Sequence, residues 1–288
     1  MLGFVNVFKP AGLTSVQVGA RLRRIYGGGG PKLAVGHIGT LDPAAAGVLP
    51  IALGKATRLI PLIEDRRKAY AFTLVLGRAT ASADATGETV RELPVPADAG
   101  ASLERATASF VGAIQQVPPM FSAVHHDGRR LYELARRGEQ VERKPRTVTI
   151  YGLRLLGFAG NVARLQVACS EGTYVRTLCE DLGAAIGLPA HMGALVREAS
   201  GPFVVYESRT LEEITAAPES AVIAPERIIP FPTIVLDVRG AADFRAGRMV
   251  PLPAGAIARH VFVRDSARTL VGVGETLGVL LAPRKVFV

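Results

Sequence analysis

Residues 36–60, GHIGTLDPAAAGVLPIALGKATRLI, hold a single carboxylate, Asp42, in a run of glycine, proline and small apolar residues. Gly36, Gly39, Pro43 and Gly47 crowd the acid too closely for a regular helix, so the chain must pass Asp42 in a loop. His37 stands just before the acid, and Lys55 and Arg58 follow it. An aspartate ahead of a proline is either a turn former or a reactive group. A reactive carboxylate must stay ionised while partly desolvated, which calls for a nearby cation. Arg58 and, much farther along, Arg176 are both candidates, and spacing alone selects neither.

The flanking segments carry clearer periodicities. LTSVQVGARLRRIYGGGG offers Thr14 or Ser15 as a helix N-cap, apolar residues at helical spacing, and a glycine stop at 27–30. KAYAFTLVLG (68–77) alternates, setting Tyr70, Phe72, Leu74 and Leu76 on one face of a strand. Residues 92–102 read as a loop and LERATASFVG as a short helix after it. A second helix is expected over about 131–138, then a strand from about Val148. ARLQVACSEGTYVRTLCEDLGAAIGLP reads as strand, turn at Gly172, and a helix with Val175, Leu178, Leu182 and Ile186 as its buried stripe. Arg176 falls in that helix's first turn, off the stripe. TAAPESAVIAPERIIPFPT is punctuated by proline and reads as a linker. Beyond it, TIVLDV, HVFVRD, TLVGVGE and RKVFV alternate between turn residues, as in a small all-β unit, a barrel by this reading.

Composition narrows the partners. The 288-residue chain carries a formal charge of +9, which favours a polyanion over an acidic protein or a neutral metabolite. Between 129 and 146 seven Lys and Arg (Arg129, Arg130, Arg136, Arg137, Arg143, Lys144, Arg146) face three Glu, concentrating the surplus in one segment. Two cysteines, Cys169 and Cys179, cannot supply a disulfide-dense scaffold or a four-cysteine zinc site. The five histidines form no HExxH, and His125–His126 stand adjacent on a loop. A phosphate-binding GxxxxGK[ST] loop fails as well, because six residues separate Gly47 from Gly54 and Ala56 follows Lys55. DATG (84–87) and LDPA do not make the paired loops of an aspartic protease. Lys9 and Pro10 end the apolar N-terminus too early for a signal peptide, and no run reaches the roughly 18 apolar residues of a membrane span. The expected setting is cytoplasmic, without a membrane.

The motifs together resemble one family. GHIGTLDPAAAGVLPIALGKATR is similar to the catalytic signature of the bacterial tRNA pseudouridine-55 synthases, the TruB family of pseudouridine synthases. KPAGLTS (9–15) resembles the family's N-terminal motif, and KAY (68–70) its tyrosine strand. QVPPMFSAVHHDGRRLYELARRG resembles its RNA-gripping insertion, and CSEGTYVRTLCEDLG its arginine motif. The likeness runs in order from about residue 4 to residue 200.

The resemblance implies an α+β pseudouridine synthase fold: a large mixed, mostly antiparallel sheet flanked by helices, with a small C-terminal PUA-like β-barrel. It places a catalytic domain at 1–232, with its insertion at about 118–146, and the PUA-like unit at 234–288. The implied reaction detaches uracil from ribose, turns it, and rejoins it through carbon, without cofactor or metal. Asp42 is then the nucleophile, Arg176 its cationic partner, and Tyr70 the residue stacked on the target base. Without the motif Tyr70 would read as a core aromatic. The T-loop uridine must be extruded before Asp42 can reach it, and His37 is the residue expected to fill the gap. Lys9 and the seven basic residues above are assigned to RNA, and Leu195, Pro119 and Met120 to active-site packing. The implied partner is the T-arm of tRNA, with no obligatory protein partner. A folding chaperone that binds tRNA is the alternative from a different functional class. Two positions depart from the family pattern: Ala81 and Ser82 stand where Asp and Thr are common, and Phe121 where Tyr is common.

Overall fold

The computed structural model describes residues 2–28, 33–122, 141–252 and 258–287, and within 123–140 only residues 125, 126, 128–131, 134, 137 and 139. Apolar alternation builds the main sheet. Its strands in chain order are β1 (Leu2–Lys9), β2 (Val35–His37), β3 (Ala46–Gly54) and β4 (Lys68–Leu76). A side hairpin of β5 (Arg78–Thr80) and β6 (Thr89–Glu92) follows, then β7 (Gly112–Gln116). The short ladder β8 (His125–His126) with β9 (Arg129–Arg130) precedes β10 (Arg146–Ala159) and β11 (Val162–Cys169). β12 (Ala190–Ser200) and β13 (Phe203–Val204) complete the set. The sheet order is β1-β3-β12-β4-β11-β10-β7, with β2 on β3 and β13 on β12. Every pairing is antiparallel except β3 with β12. This is the mixed, mostly antiparallel sheet that the resemblance implies.

Period-2 alternation gives each face its own cover. Val5 and Val7 of β1, Leu49 and Ile51 of β3, and Tyr70, Phe72 and Leu74 of β4 share one core with three helices. These are α1 (Ser15–Gly27), α2 (Ala99–Ser109) and α3 (Val175–Ala185). The Thr14 hydroxyl accepts from the Gln17 N–H while the Gln17 side chain accepts from the Thr14 N–H, a capping box that starts α1. α2 opens at Ala99, inside the stretch read as loop from sequence, because Ala99 and Leu103 reach the core. Residues 132, 133, 135, 136 and 138 of the helix expected at 131–138 lie outside the described residues.

The opposite face carries the C-terminal unit: β14 (Thr233–Val235), β15 (Val250–Pro251), β16 (His260–Arg264), β17 (Leu270–Leu277) and β18 (Leu280–Val286), in the order β14-β16-β17-β18-β15. This sheet curls into a half-barrel around Phe244. Phe262, Val273 and Phe287 pack with Phe4, Val48 and Ala52 of the main sheet, so one apolar cluster joins the two units. The segment read as a linker is built structure instead. α4 (Leu211–Ala216) runs into its start and it holds α5 (Pro225–Ile228); Ile223 exchanges backbone hydrogen bonds with Phe4, and Ile229 is fully buried. Its prolines open short helical turns rather than keeping the chain free. Among the described residues no helix is long and apolar enough to cross a membrane.

One glycine fixes where the sheet meets the loop that carries Asp42. Gly47 sits at φ +108° at the start of β3, and a methyl group there would overlap the backbone of Arg197 on β12. Gly47→Ala combines left-handed strain with overpacking and is expected to destabilise by about 3 kcal/mol, lowering the thermal midpoint by roughly 5–10 °C. Gly12→Ala, at φ +90° but with open space around it, isolates the conformational part and is expected to cost about 1 kcal/mol. Equal melting temperatures for the two variants would refute the close-packing argument.

Candidate active site

The loop after β2 is held in shape by the N-terminal motif. The Ser15 hydroxyl donates to the Leu41 carbonyl and accepts from the Leu41 N–H, both at 3.0 Å. The Gly12 N–H donates to the Pro43 carbonyl at 2.8 Å. Lys9 is fully buried, and its ammonium donates to the carbonyls of Pro10 (2.9 Å), Leu13 (2.7 Å) and Pro43 (3.2 Å). Burial pushes its pKa down to about 8 although Asp42 opposes the shift. The expectation that Lys9 contacts RNA therefore fails. Its three N–H groups are spent on carbonyls of its own N-terminal motif and of the loop that carries Asp42, and none faces solvent.

Beside this loop lies a cavity of about 260 Å³, lined by Asp42, Lys68, Tyr70, Arg176, Leu195 and Arg197 among others. Asp42 Oδ2 meets Arg176 Nη2 at 3.0 Å, with the arginine side chain 5% exposed and the carboxylate 39% exposed. Arg176 also donates to the Phe121 carbonyl at 2.7 Å and the Ser82 carbonyl at 3.3 Å. One guanidinium thus ties three distant segments together. Of the two cations left open by spacing, Arg58 is turned away and donates to the Val286 carbonyl of the half-barrel.

The departures from the family pattern fall on these supports. The Phe121 contact uses its main chain, so the missing hydroxyl leaves it intact. The Ser82 hydroxyl donates to Asp84 Oδ1 at 2.6 Å, as do the hydroxyl and N–H of Thr86. Burial pushes the Asp84 carboxyl up, but these hydrogen bonds outweigh it and hold the group below its ordinary value. Ser82 and Asp84 thereby brace the carbonyl that Arg176 uses.

Tyr70 is buried, and desolvation raises its phenol above the ordinary range. Arg197 lies directly opposite on β12. It is 1% exposed and donates to the carbonyls of Val48 (2.7 Å), Thr40 (3.2 Å) and Gly39 (3.0 Å), bracing the loop that carries Asp42 from the sheet side. Lys68, also buried, lines the cavity two residues before Tyr70 on the same strand face. Neither Arg197 nor Lys68 was singled out from sequence. The two-residue period of KAY carried the signal for Lys68, whereas Arg197 depends on a strand register that spacing does not encode.

The remaining assignments divide. His37 does not line the cavity; its Nε2 lies 3.1 Å from the hydroxyl of Thr40, which does. Leu195 lines the cavity, whereas Pro119, buried, and Met120, half-buried, do not. Arg129, Arg137, Lys144 and Arg146 are exposed. Arg143 is turned partly inward and donates to the Pro118 carbonyl at 3.0 Å. Arg136 and the side chain of Arg130 lie outside the described residues. Among the described residues no group of three or more His, Cys, Asp or Glu is placed to hold a metal ion.

Comparison with known proteins identifies the family and the fold. The TruB family pseudouridylate synthase N-terminal domain matches residues 24–175, and the tRNA pseudouridylate synthase B C-terminal domain matches residues 176–227. The tRNA pseudouridine synthase B of Heliobacterium mobile is 41% identical over 294 residues, covering 99% of this chain and 94% of its own. That of Streptococcus pneumoniae serotype 2 is 39% identical, with full coverage of both chains. Among solved structures, a chain of a Cbf5–Nop10–Gar1 complex superposes with a TM-score of 0.69 at 27% identity, covering 99% of this chain and 85% of that one. Another, from an H/ACA ribonucleoprotein bound to a substrate RNA containing 2′-deoxyuridine, gives 0.68 at 25% identity, with the same coverage.

Proposed function

The chain belongs to the TruB family of pseudouridylate synthases, and from that premise we propose that it isomerises the T-loop uridine at position 55 of tRNA, with Asp42 as nucleophile. It is an isomerase, a tRNA pseudouridine synthase. The observation that carries this reading is the Asp42–Arg176 ion pair opening into a cavity walled by Tyr70. Asp42 is the half-exposed member of the pair, so its second oxygen is free to approach a sugar carbon while Arg176 stays behind it.

The uridine is extruded from the stack into the cavity, where Tyr70 stacks on the base and Leu195 packs against it. His37, held 3.1 Å from the cavity-lining Thr40, fills the gap left in the T-loop. The C1′–N1 bond breaks, the uracil turns, and a C1′–C5 bond forms as the C5 hydrogen leaves as a proton and N1 gains one. Exposed Arg129, Arg137, Lys144 and Arg146 neutralise T-arm phosphates, giving affinity rather than base selection. Residues 1–232 act as the catalytic unit, and the half-barrel from about 234 onward adds RNA contact.

Incubation with an unmodified tRNA transcript and with a T-arm minihelix tests this, pseudouridine being mapped afterwards. Conversion of the T-loop uridine in both substrates is expected. Conversion at another position would refute the T-loop assignment, and conversion of neither would refute the substrate.

A further inference from the structure

Four cations are buried around the cavity: Lys9, Lys68, Arg176 and Arg197. Arg176 pairs with Asp42, and Lys9 and Arg197 each use three carbonyls to shape the loop. Lys68 differs. At 8% exposure, its hydrogen bond among the described residues runs from Nζ to the neutral Ser200 hydroxyl at 2.6 Å, leaving two N–H groups without a protein acceptor there. A buried ammonium with no anion against it is costly unless something else supplies the negative charge. It lines the cavity, on the same face of β4 as Tyr70. Gly39 lies above it: a side chain there would begin 3.5 Å from Nζ, so the glycine leaves the ammonium open to an occupant.

We propose that Lys68 faces the detached uracil and neutralises the negative charge the ring carries between bond breaking and rejoining. This rests on the reading that the site detaches and rejoins uracil. When C1′–N1 breaks, its electron pair goes to the ring and spreads over N1, O2 and O4, while Asp42 bonds to C1′. Lys68 donates a hydrogen bond to a ring oxygen and transfers no proton. When C1′–C5 forms, the Asp42–C1′ bond breaks and its electron pair returns to the carboxylate, the C5 proton leaves and N1 is protonated, so Asp42 and Lys68 both end as they began. A backbone phosphate is the poorer match, because Lys68 sits deep beside the base-stacking tyrosine while the exposed arginines stand on the surface.

The charge on Lys68 is titratable. Burial and Arg197 of β12 push it down to about 8, Arg66 adds to this, and Glu171 of the turn before α3 opposes it. Cys169 of β11, its thiol pushed up to about 11 by burial, and Tyr70, also raised, are neutral neighbours in this range. Activity that needs the ammonium should fall as pH rises through about 8. Lys9 titrates in the same range, so the Lys68→Arg variant is needed to separate them.

The test compares wild type, Lys68→Met and Lys68→Arg on an unmodified tRNA transcript. It reads single-turnover rate, tRNA Kd, and kcat/KM between about pH 6 and about pH 9.5. Lys68→Met is expected to slow the single-turnover step about 100-fold with Kd within about 3-fold of wild type. Lys68→Arg should recover most of the rate and move the alkaline limb upward, since a guanidinium stays charged. A loss confined to Kd, an unchanged rate, or an alkaline limb that stays near 8 in Lys68→Arg would overturn the proposal. If Lys68→Met does not fold, the Lys68→Arg pH profile decides alone. A wild type that converts no uridine overturns the underlying reading instead, which an active wild type with an equally active Lys68→Met does not.

Discussion

Asp42→Asn is expected to reduce pseudouridine formation by on the order of 10⁴-fold or more while leaving tRNA affinity within a few-fold of wild type. The substitution keeps the shape of the side chain and one oxygen to accept from Arg176, but it removes both the charge and the nucleophile. Its cost to the fold should be modest. Asp42 is 39% exposed, so water screens much of its pairing, and the loop is held by Lys9, Ser15, Gly12 and Arg197 rather than by the carboxylate. On the proposed reading binding should persist, because the arginines and lysine assigned to phosphates (Arg129, Arg137, Lys144, Arg146) are exposed and do not line the cavity. Pseudouridine mapping on a single-turnover time course, beside filter binding and a thermal melt, separates these effects. Residual conversion within about 100-fold of wild type would contradict the nucleophile assignment, and weakened binding with a preserved rate per bound complex would contradict it equally.

How much of this was legible beforehand depends on whether a signal is local. α1, with its Thr14 cap and glycine stop, and β4, with its strict alternation, are where spacing places them because each is decided by its own residues. The ends of α2 and the proline-rich segment at 215–233 differ from the sequence reading because tertiary burial decides them. Ala99 and Ile229 reach cores that no local pattern announces. The site follows the same rule. Asp42 and Arg176 lie far apart in sequence, and only the family resemblance joined them; spacing left Arg58 as an equal candidate. Lys9 sits in a motif that the resemblance picked out, yet its role is set by the carbonyls that converge on it in space. Arg197 is placed against Tyr70 by the β4–β12 register, which includes bulges on either side of it. A bulge shifts the register by a residue, so no sequence period would have found that pair.

Replacing Arg176 gives the second large effect, and its logic is geometric as much as electrostatic. The guanidinium reaches Asp42, Phe121 and Ser82 from the first turn of α3 with two nitrogens. A lysine ammonium brings the charge but cannot span those three acceptors, so Arg176→Lys is expected to lose about 10²- to 10³-fold in single-turnover rate. Arg176→Met loses the charge too, leaves the Phe121 and Ser82 carbonyls without their donor, and should fall at least about 10³-fold. Because the arginine is 5% exposed and its partner 39% exposed, the stability cost should be nearer 2 kcal/mol than the 3–5 of a fully buried pair, read as a lower midpoint in denaturant. The decisive measurement is the double variant. If Arg176 acts by setting the charge and position of Asp42, then adding Arg176→Met to Asp42→Asn should slow the reaction little beyond Asp42→Asn alone. Multiplicative losses would mean that Arg176 acts on the substrate independently of the carboxylate it touches.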